Sequence, residues 1–169
     1  MNPIVCHFIT ASVLIFGMVL PIENAAAQTT AKDLVGTWTL VSITIEQDGK
    51  KIDFYGPSPQ GQETYDSNGH VSVIITRSDL PKFASNNRQS GTPEENKAVV
   101  QGSFAYFGTY SVSETDKTIT THIVSSTFPN WNGVDRKLSF NISGDELNIT
   151  TPNSSTGARS NQQVWKRVK

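Results

Sequence analysis

Beyond its first thirty or so residues the chain alternates apolar and polar positions in short, evenly spaced runs, the period-two mark of half-buried β-strands. Trp38 to Ile45 is the first run, closed by the turn pair Asp48-Gly49. Gln62 to Tyr65 and His70 to Arg77 flank Asp66-Ser67-Asn68-Gly69 and read as a hairpin. Tyr106 to Ser113, Thr118 to Ser125, Val134 to Ile142, Glu146 to Thr150 and Gln163 to Val168 bring the series to about eight strands. The links Glu114-Thr115-Asp116-Lys117 and Ser143-Gly144-Asp145 are short, so their strands should be antiparallel neighbours. An all-β, eight-stranded, antiparallel up-and-down barrel follows, because closure removes the edges such a sheet would expose.

Two segments depart from alternation. Phe54 to Gln60 carries Gly56, Pro57 and Pro59, and reads as a loop crossing from the first strand to the second. Thr92-Pro93-Glu94-Glu95 is a helix start, with Thr92 as N-cap, Pro93 at the first helical position and Glu95 closing a capping box. This one short helix, between strands three and four, would carry Ala98, Val99 and Phe104 on its apolar face and cover one mouth of the barrel. Leu80 to Gly91 is its polar approach, and Thr151 to Asn161 is a polar loop before the last strand.

Alternation also assigns faces. Tyr106, Gly108, Tyr110 and Val112 share one side of their strand, as do Val71, Val73, Ile75 and Arg77. Arg136, Leu138, Phe140 and Ile142 share a third. Two arginines thus fall on otherwise apolar faces, where an unpaired guanidinium is costly. On the functional reading, Arg77 or Arg136 meets the anionic head of a lipophilic ligand while Tyr106 and Tyr110 donate hydroxyls. On the structural reading, both snorkel from strand ends, pair with Asp79 or Asp135, or stack on a tryptophan. Trp38 and Trp165 are core fillers. Trp131, in Phe128-Pro129-Asn130-Trp131-Asn132-Gly133, reads equally as a gate at the ligand rim or as a plug.

Composition places this domain. Ile4 to Leu20 is almost continuously apolar and Ala25-Ala26-Ala27 suits a signal peptidase, so residues 1–27 read as an export signal and 28–169 as one mature domain. The run is shorter than the roughly 20 apolar residues of a permanent span, so no stable membrane insertion is expected after cleavage. The location should be secreted or periplasmic. Cys6, the single cysteine, lies in that signal, leaving the mature chain without a disulfide or a thiolate metal site. Cleavage leaves 14 acidic residues against 14 basic ones and no basic stripe, so nucleic acid is not an expected partner.

Chemistry is scarce. The histidines are His7, His70 and His122, with no metal-ligand spacing, so no metal site or cofactor is expected. No nucleophile elbow, phosphate loop or dinucleotide fingerprint occurs, and no residue is assigned a catalytic role. His122, mid-strand in Thr120-Thr121-His122-Ile123, reads as a general base or ligand partner, or as an outward residue of a Thr-rich strand.

Taken in order, Leu34-Val35-Gly36-Thr37-Trp38-Thr39-Leu40-Val41-Ser42, Thr92-Pro93-Glu94-Glu95, Ala105-Tyr106-Phe107-Gly108-Thr109-Tyr110, Phe128-Pro129-Asn130-Trp131 and Val164-Trp165-Lys166-Arg167 resemble the lipocalin-like domain family of bacteria and fungi. The resemblance runs from about Leu34 to Arg167. It implies the eight-stranded barrel, with Trp38 near one closed end and Arg167 packed over it. It also implies a small hydrophobic molecule as partner. The expected function is an exported binder of a small lipophilic ligand that contacts Arg77, Tyr106, Tyr110, His122, Trp131, Arg136 and Phe140. Two alternatives stand beside it: an isomerase or cyclase using His122 or a tyrosine as proton donor, and a solid barrel acting through its surface. Oligomeric state is left open.

Overall fold

A computed structural model of the chain describes residues 30–47 and 49–169. The export segment, Cys6 and Asp48 of the first turn lie outside the described residues. A four-residue helix, α1 (Ala31–Leu34), leads into β1 (Gly36–Gln47), β2 (Lys50–Asp53), β3 (Gln60–Tyr65) and β4 (His70–Thr76). Helix α2 (Pro93–Gly102) follows, then β5 (Ser103–Ser113), β6 (Thr118–Ser126), β7 (Asp135–Ser143), β8 (Glu146–Pro152) and β9 (Ser160–Arg167).

Eight of these strands, β1 and β3 to β9, pair antiparallel in sequence order and close through β1 and β9. The barrel and the position of its helix are those that the alternation predicts. β2 is the addition: it pairs with Thr44 to Gln47 at the far end of β1. Its four residues are all exposed, so no apolar alternation marks it in the sequence. Phe104 also differs from expectation. Helix α2 stops at Gly102, and Phe104 stands in β5 opposite Ile75 instead of on the helix.

Two irregularities shape the ring. β1 shifts register against β9 between Leu40 and Ser42, and β5 shifts against β6 between Phe107 and Gly108. A bulge bends and twists its strand. At the second, a Cβ on Gly108 would lie 1.9 Å from the carbonyl oxygen of His122, so only glycine allows that approach.

The two ends of the barrel differ. At one end the links are tight: β3–β4, β5–β6 and β7–β8 join through residues 66–69, 114–117 and 144–145. At the other, the chain spends residues 77–102, 127–134 and 153–159 on its connections. The tight end is closed. Trp38 is fully buried and its indole Nε1 donates to the Leu34 carbonyl at 2.9 Å. The Arg167 guanidinium lies 4.1 Å over the Trp38 ring and donates to the carbonyls of Val35 and Asp33. Trp165, also fully buried, donates to Gln163 Oε1 at 3.0 Å. Leu34, Tyr65, Ile119 and Leu147 complete a core with no exposed surface.

Candidate functional site

Above this floor the inward faces of the strands enclose a narrow cavity. Ile43, Val73, Ile75, Ile123, Leu138 and Ile149 make its apolar wall. Its volume is about 40 Å3, room for about three waters. It opens into a vestibule of about 600 Å3 at the loose end, and Phe54, Tyr55, Phe104, Ser155 and Thr156 line both spaces. Small-molecule sites usually measure about 300–1,000 Å3. The vestibule reaches that range; the inner cavity alone does not.

Of the candidate residues, Arg136, Tyr106 and Trp131 come together on the cavity wall. Arg136 stands near the start of β7, with its guanidinium carbon 4.0 Å over the Trp131 ring. It donates from one terminal nitrogen to the carbonyls of Pro152 at 2.6 Å and Asn153 at 2.9 Å. No carboxylate pairs with it among the described residues. Partial burial lowers its pKa from the usual arginine value, against the neighbouring Tyr106, which raises it. A guanidinium nevertheless stays charged at any physiological pH. Trp131 is fixed edge-on against Phe104 and Phe128, at 5.3 and 5.8 Å between ring centres. A single 3₁₀ turn, Pro129–Trp131, presents it to the mouth.

The other candidates lie elsewhere. Arg77 falls one residue past β4 and makes a two-point pair with Asp79, at 2.8 and 2.7 Å. It borders the vestibule, not the inner cavity. His122 points outward and holds Asp135 at 2.7 Å across the β6–β7 pair. Its side chain is 51% exposed. Tyr110 sits lower, against Tyr65 at 4.9 Å, and donates its hydroxyl to the Asp66 carbonyl. Phe140 is core, buried on the β7–β8 pair. Tight packing against neighbouring strands accounts for both.

Alternation missed the most unusual group. Glu63 lies on the inner face of β3, 1% exposed, between Trp38 on one neighbouring strand and Val73 on the other. Its Oε1 accepts the Tyr65 hydroxyl at 2.7 Å; Oε2 is buried and has no hydrogen-bond partner among the described residues. Burial pushes its pKa up from 4.5 to about 7, against the Tyr65 hydrogen bond, which lowers it. Tyr65 and Tyr106 are held well above the usual tyrosine range, by burial first and then by the carboxyl beside them. The strand reads Gln60-Gly61-Gln62-Glu63-Thr64-Tyr65, polar on both faces, so periodicity alone could not say which side was inside. The signal lies in the hairpin: its register puts Glu63 opposite Val73, an inward residue of the next strand.

The family profile of the lipocalin-like domain matches residues 35–168. The chain belongs to the lipocalin-like domain family. Among solved structures, this lipocalin-like chain is similar to a lipocalin-like protein from Bacteroides uniformis, at 16% identity and a TM-score of 0.43, over 80% of this chain and 99% of that one. It is similar to a biogenic amine-binding protein at 9% identity and a TM-score of 0.43, over 83% of this chain and 67% of that one. A mutant of the fluorescent protein UnaG aligns at 10% identity and a TM-score of 0.38, over 82% of this chain and 99% of that one. Comparison with curated proteins returns no match.

Within the lipocalin-like barrel, the polar wall on β8 and β9 is otherwise internally satisfied. Gln163 Nε2 donates to Thr151 Oγ1 and Asn161 Oδ1, and Asn161 donates to Ser154. Thr121, 1% exposed on β6 and paired across strands with Arg136, faces the cavity with a buried Oγ1 that has no partner among the described residues. The cavity therefore offers an apolar wall, the Arg136 cation, and two oxygens, of Glu63 and Thr121, without a partner among the described residues.

Proposed function

We propose that this protein is an exported binder of a small lipophilic ligand, held in the cavity and vestibule with its acceptor or anionic group against Arg136. The observation that carries the reading is Arg136 itself: a half-buried cation over Trp131, facing an apolar cavity, with backbone carbonyls and no carboxylate as partners. A cation so placed costs stability unless something answers it. Given the two volumes, most of a ligand's bulk lies in the vestibule, or Phe104 and Trp131 swing aside to admit it. The outward His122 is no proton donor to a cavity substrate, which weakens the isomerase reading.

Export is part of the proposal and rests on the apolar run Ile4 to Leu20 followed by Ala25-Ala26-Ala27. Fractionation of the host with N-terminal sequencing should find a mature chain beginning at Gln28 outside the cytoplasm. Native mass spectrometry of protein from its own host should show a bound mass that organic extraction releases. Titration with fatty acids and fluorescent lipid probes should then show saturable binding, weakened about tenfold for the anionic probes by Arg136→Ala. Unchanged anionic affinities in that variant would remove Arg136 as the anchor.

A further inference from the structure

Glu63, opposite Trp38 of the floor, and Thr121 line the same cavity with oxygens that have no hydrogen-bond partner among the described residues. Buried polar atoms are almost always hydrogen-bonded, and each native exception calls for an explanation. Three such atoms occur among the described residues; Thr118 Oγ1 lies away from the cavity, whereas Glu63 Oε2 and Thr121 Oγ1 belong to cavity-lining residues, and Gln163, Asn161, Thr151 and Ser154 on the same wall are bonded to one another.

The geometry specifies the missing chemistry. Glu63 Oε1 already takes the Tyr65 hydroxyl, so the open position on Oε2 is an acceptor site when the group is ionised. Among the described residues no cation pairs with it: Arg136 acts on Tyr106, and no ion pair joins it to Glu63. Tyr106, opposite Val73 as Glu63 is, stands between the carboxyl and the guanidinium electrostatically and feels both. The space would hold about three waters, which a ligand's donor group would displace.

We propose that Glu63 is a second recognition point that accepts a hydrogen bond from a hydroxyl or amino group at the buried end of the ligand. This rests on the cavity-binding reading and extends it. The ligand is then two-ended: an acceptor or anion at Arg136 near the mouth, an apolar body, and a donor at the inner end. A site built to hydrogen-bond a donor rejects the analogue that lacks it more strongly than an apolar pocket discriminates by size.

Isothermal titration calorimetry at about pH 8, above the value of about 7 to which burial lifts Glu63, with octanoate, 8-hydroxyoctanoate and 8-aminooctanoate tests this, since all three carry the same carboxylate and differ only at the far end. One of the two donor-bearing acids should bind at least tenfold more tightly than octanoate, and Glu63→Leu should abolish that preference. Circular dichroism and thermal melting confirm that the variant is folded. The isosteric Glu63→Gln separates the two sources. An amine preference should vanish in it, whereas a hydroxyl preference should survive in it and be lost only in Glu63→Leu. Equal binding of the three acids, with Arg136→Ala weakening all of them, overturns the donor site and leaves the binding reading intact. No binding of any of them overturns both.

Discussion

An arginine lies over a tryptophan at each end of this barrel, Arg167 over Trp38 at 4.1 Å and Arg136 over Trp131 at 4.0 Å. The chemistry is the same and the settings are opposite. Trp38 is fully buried, its N–H is spent on Leu34, and Arg167 ties the last strand to the carbonyls just before the first. That pair closes the ring where β1 meets β9. Trp131 sits in a connection at the loose end, partly exposed, and Arg136 is tied to the loop after β8. A cation–π contact therefore has no fixed role of its own. Enclosed by tight turns it is a lock, and set among long connections beside a cavity it is, on the proposed function, a contact for the ligand to join or displace.

The comparison breaks most severely at the floor. Trp38→Ala should cost about 4 kcal/mol in chemical denaturation, as for other fully buried tryptophans. Trp131→Ala should cost about half of that, because the ring is partly exposed and its partners Phe104 and Phe128 flank a mouth that can relax around the gap. Equal losses would mean that the two ends are equally structural.

Next in size is the interior carboxyl. The folded protein keeps Glu63 protonated up to about pH 7, whereas its ordinary value is 4.5. Between those values the folded state holds a proton that the unfolded chain has released. Stability should therefore fall as pH rises from about 4.5 to about 7, then level off. Comparing urea midpoints of the wild type and Glu63→Gln across that window isolates this contribution, which should amount to about 3 kcal/mol. A wild-type slope matching that of the variant would show that Glu63 is not held neutral.

Arg167→Met should cost about 2 kcal/mol, through the lost ring contact and the two carbonyls left without their donor. Arg136→Met should cost less than half of that in stability, with its main effect on ligand affinity. The smallest effect belongs to His122→Ala. Its exposed pair with Asp135 should contribute no more than about 0.5 kcal/mol in a melting experiment. Any loss of binding in that variant would return His122 to the site.

How much of this was legible depends on which side of each strand carries apolar residues. Along β4, β5 and β7 one face is apolar, and alternation there points to the wall that Val73, Ile75, Tyr106, Leu138 and Arg136 form. It could not separate cavity from core on that face: Tyr110 and Phe140 alternate correctly yet are packed away below. His122 shares a strand with the inward Thr121 and Ile123, and only its phase against them places it outside. β3 carried no readable phase, which hid Glu63. β2, exposed throughout, carried none either.

By itself the sequence determined the barrel: its eight strands, their antiparallel order, the Thr92-capped helix and the tryptophan-led first strand all follow from local alternation, turn chemistry and capping. Those depend on neighbours a few residues apart. What the tertiary structure alone decided is the chemistry of the interior. Whether a Glu is solvated or buried, whether an Arg finds a carboxylate, and whether a cavity survives the packing are set by residues on other strands. Glu63 meets Val73 and Trp38 only when the hairpin and the closing strands are in register, and burial leaves one oxygen of its carboxyl without a partner among the described residues and lifts its pKa.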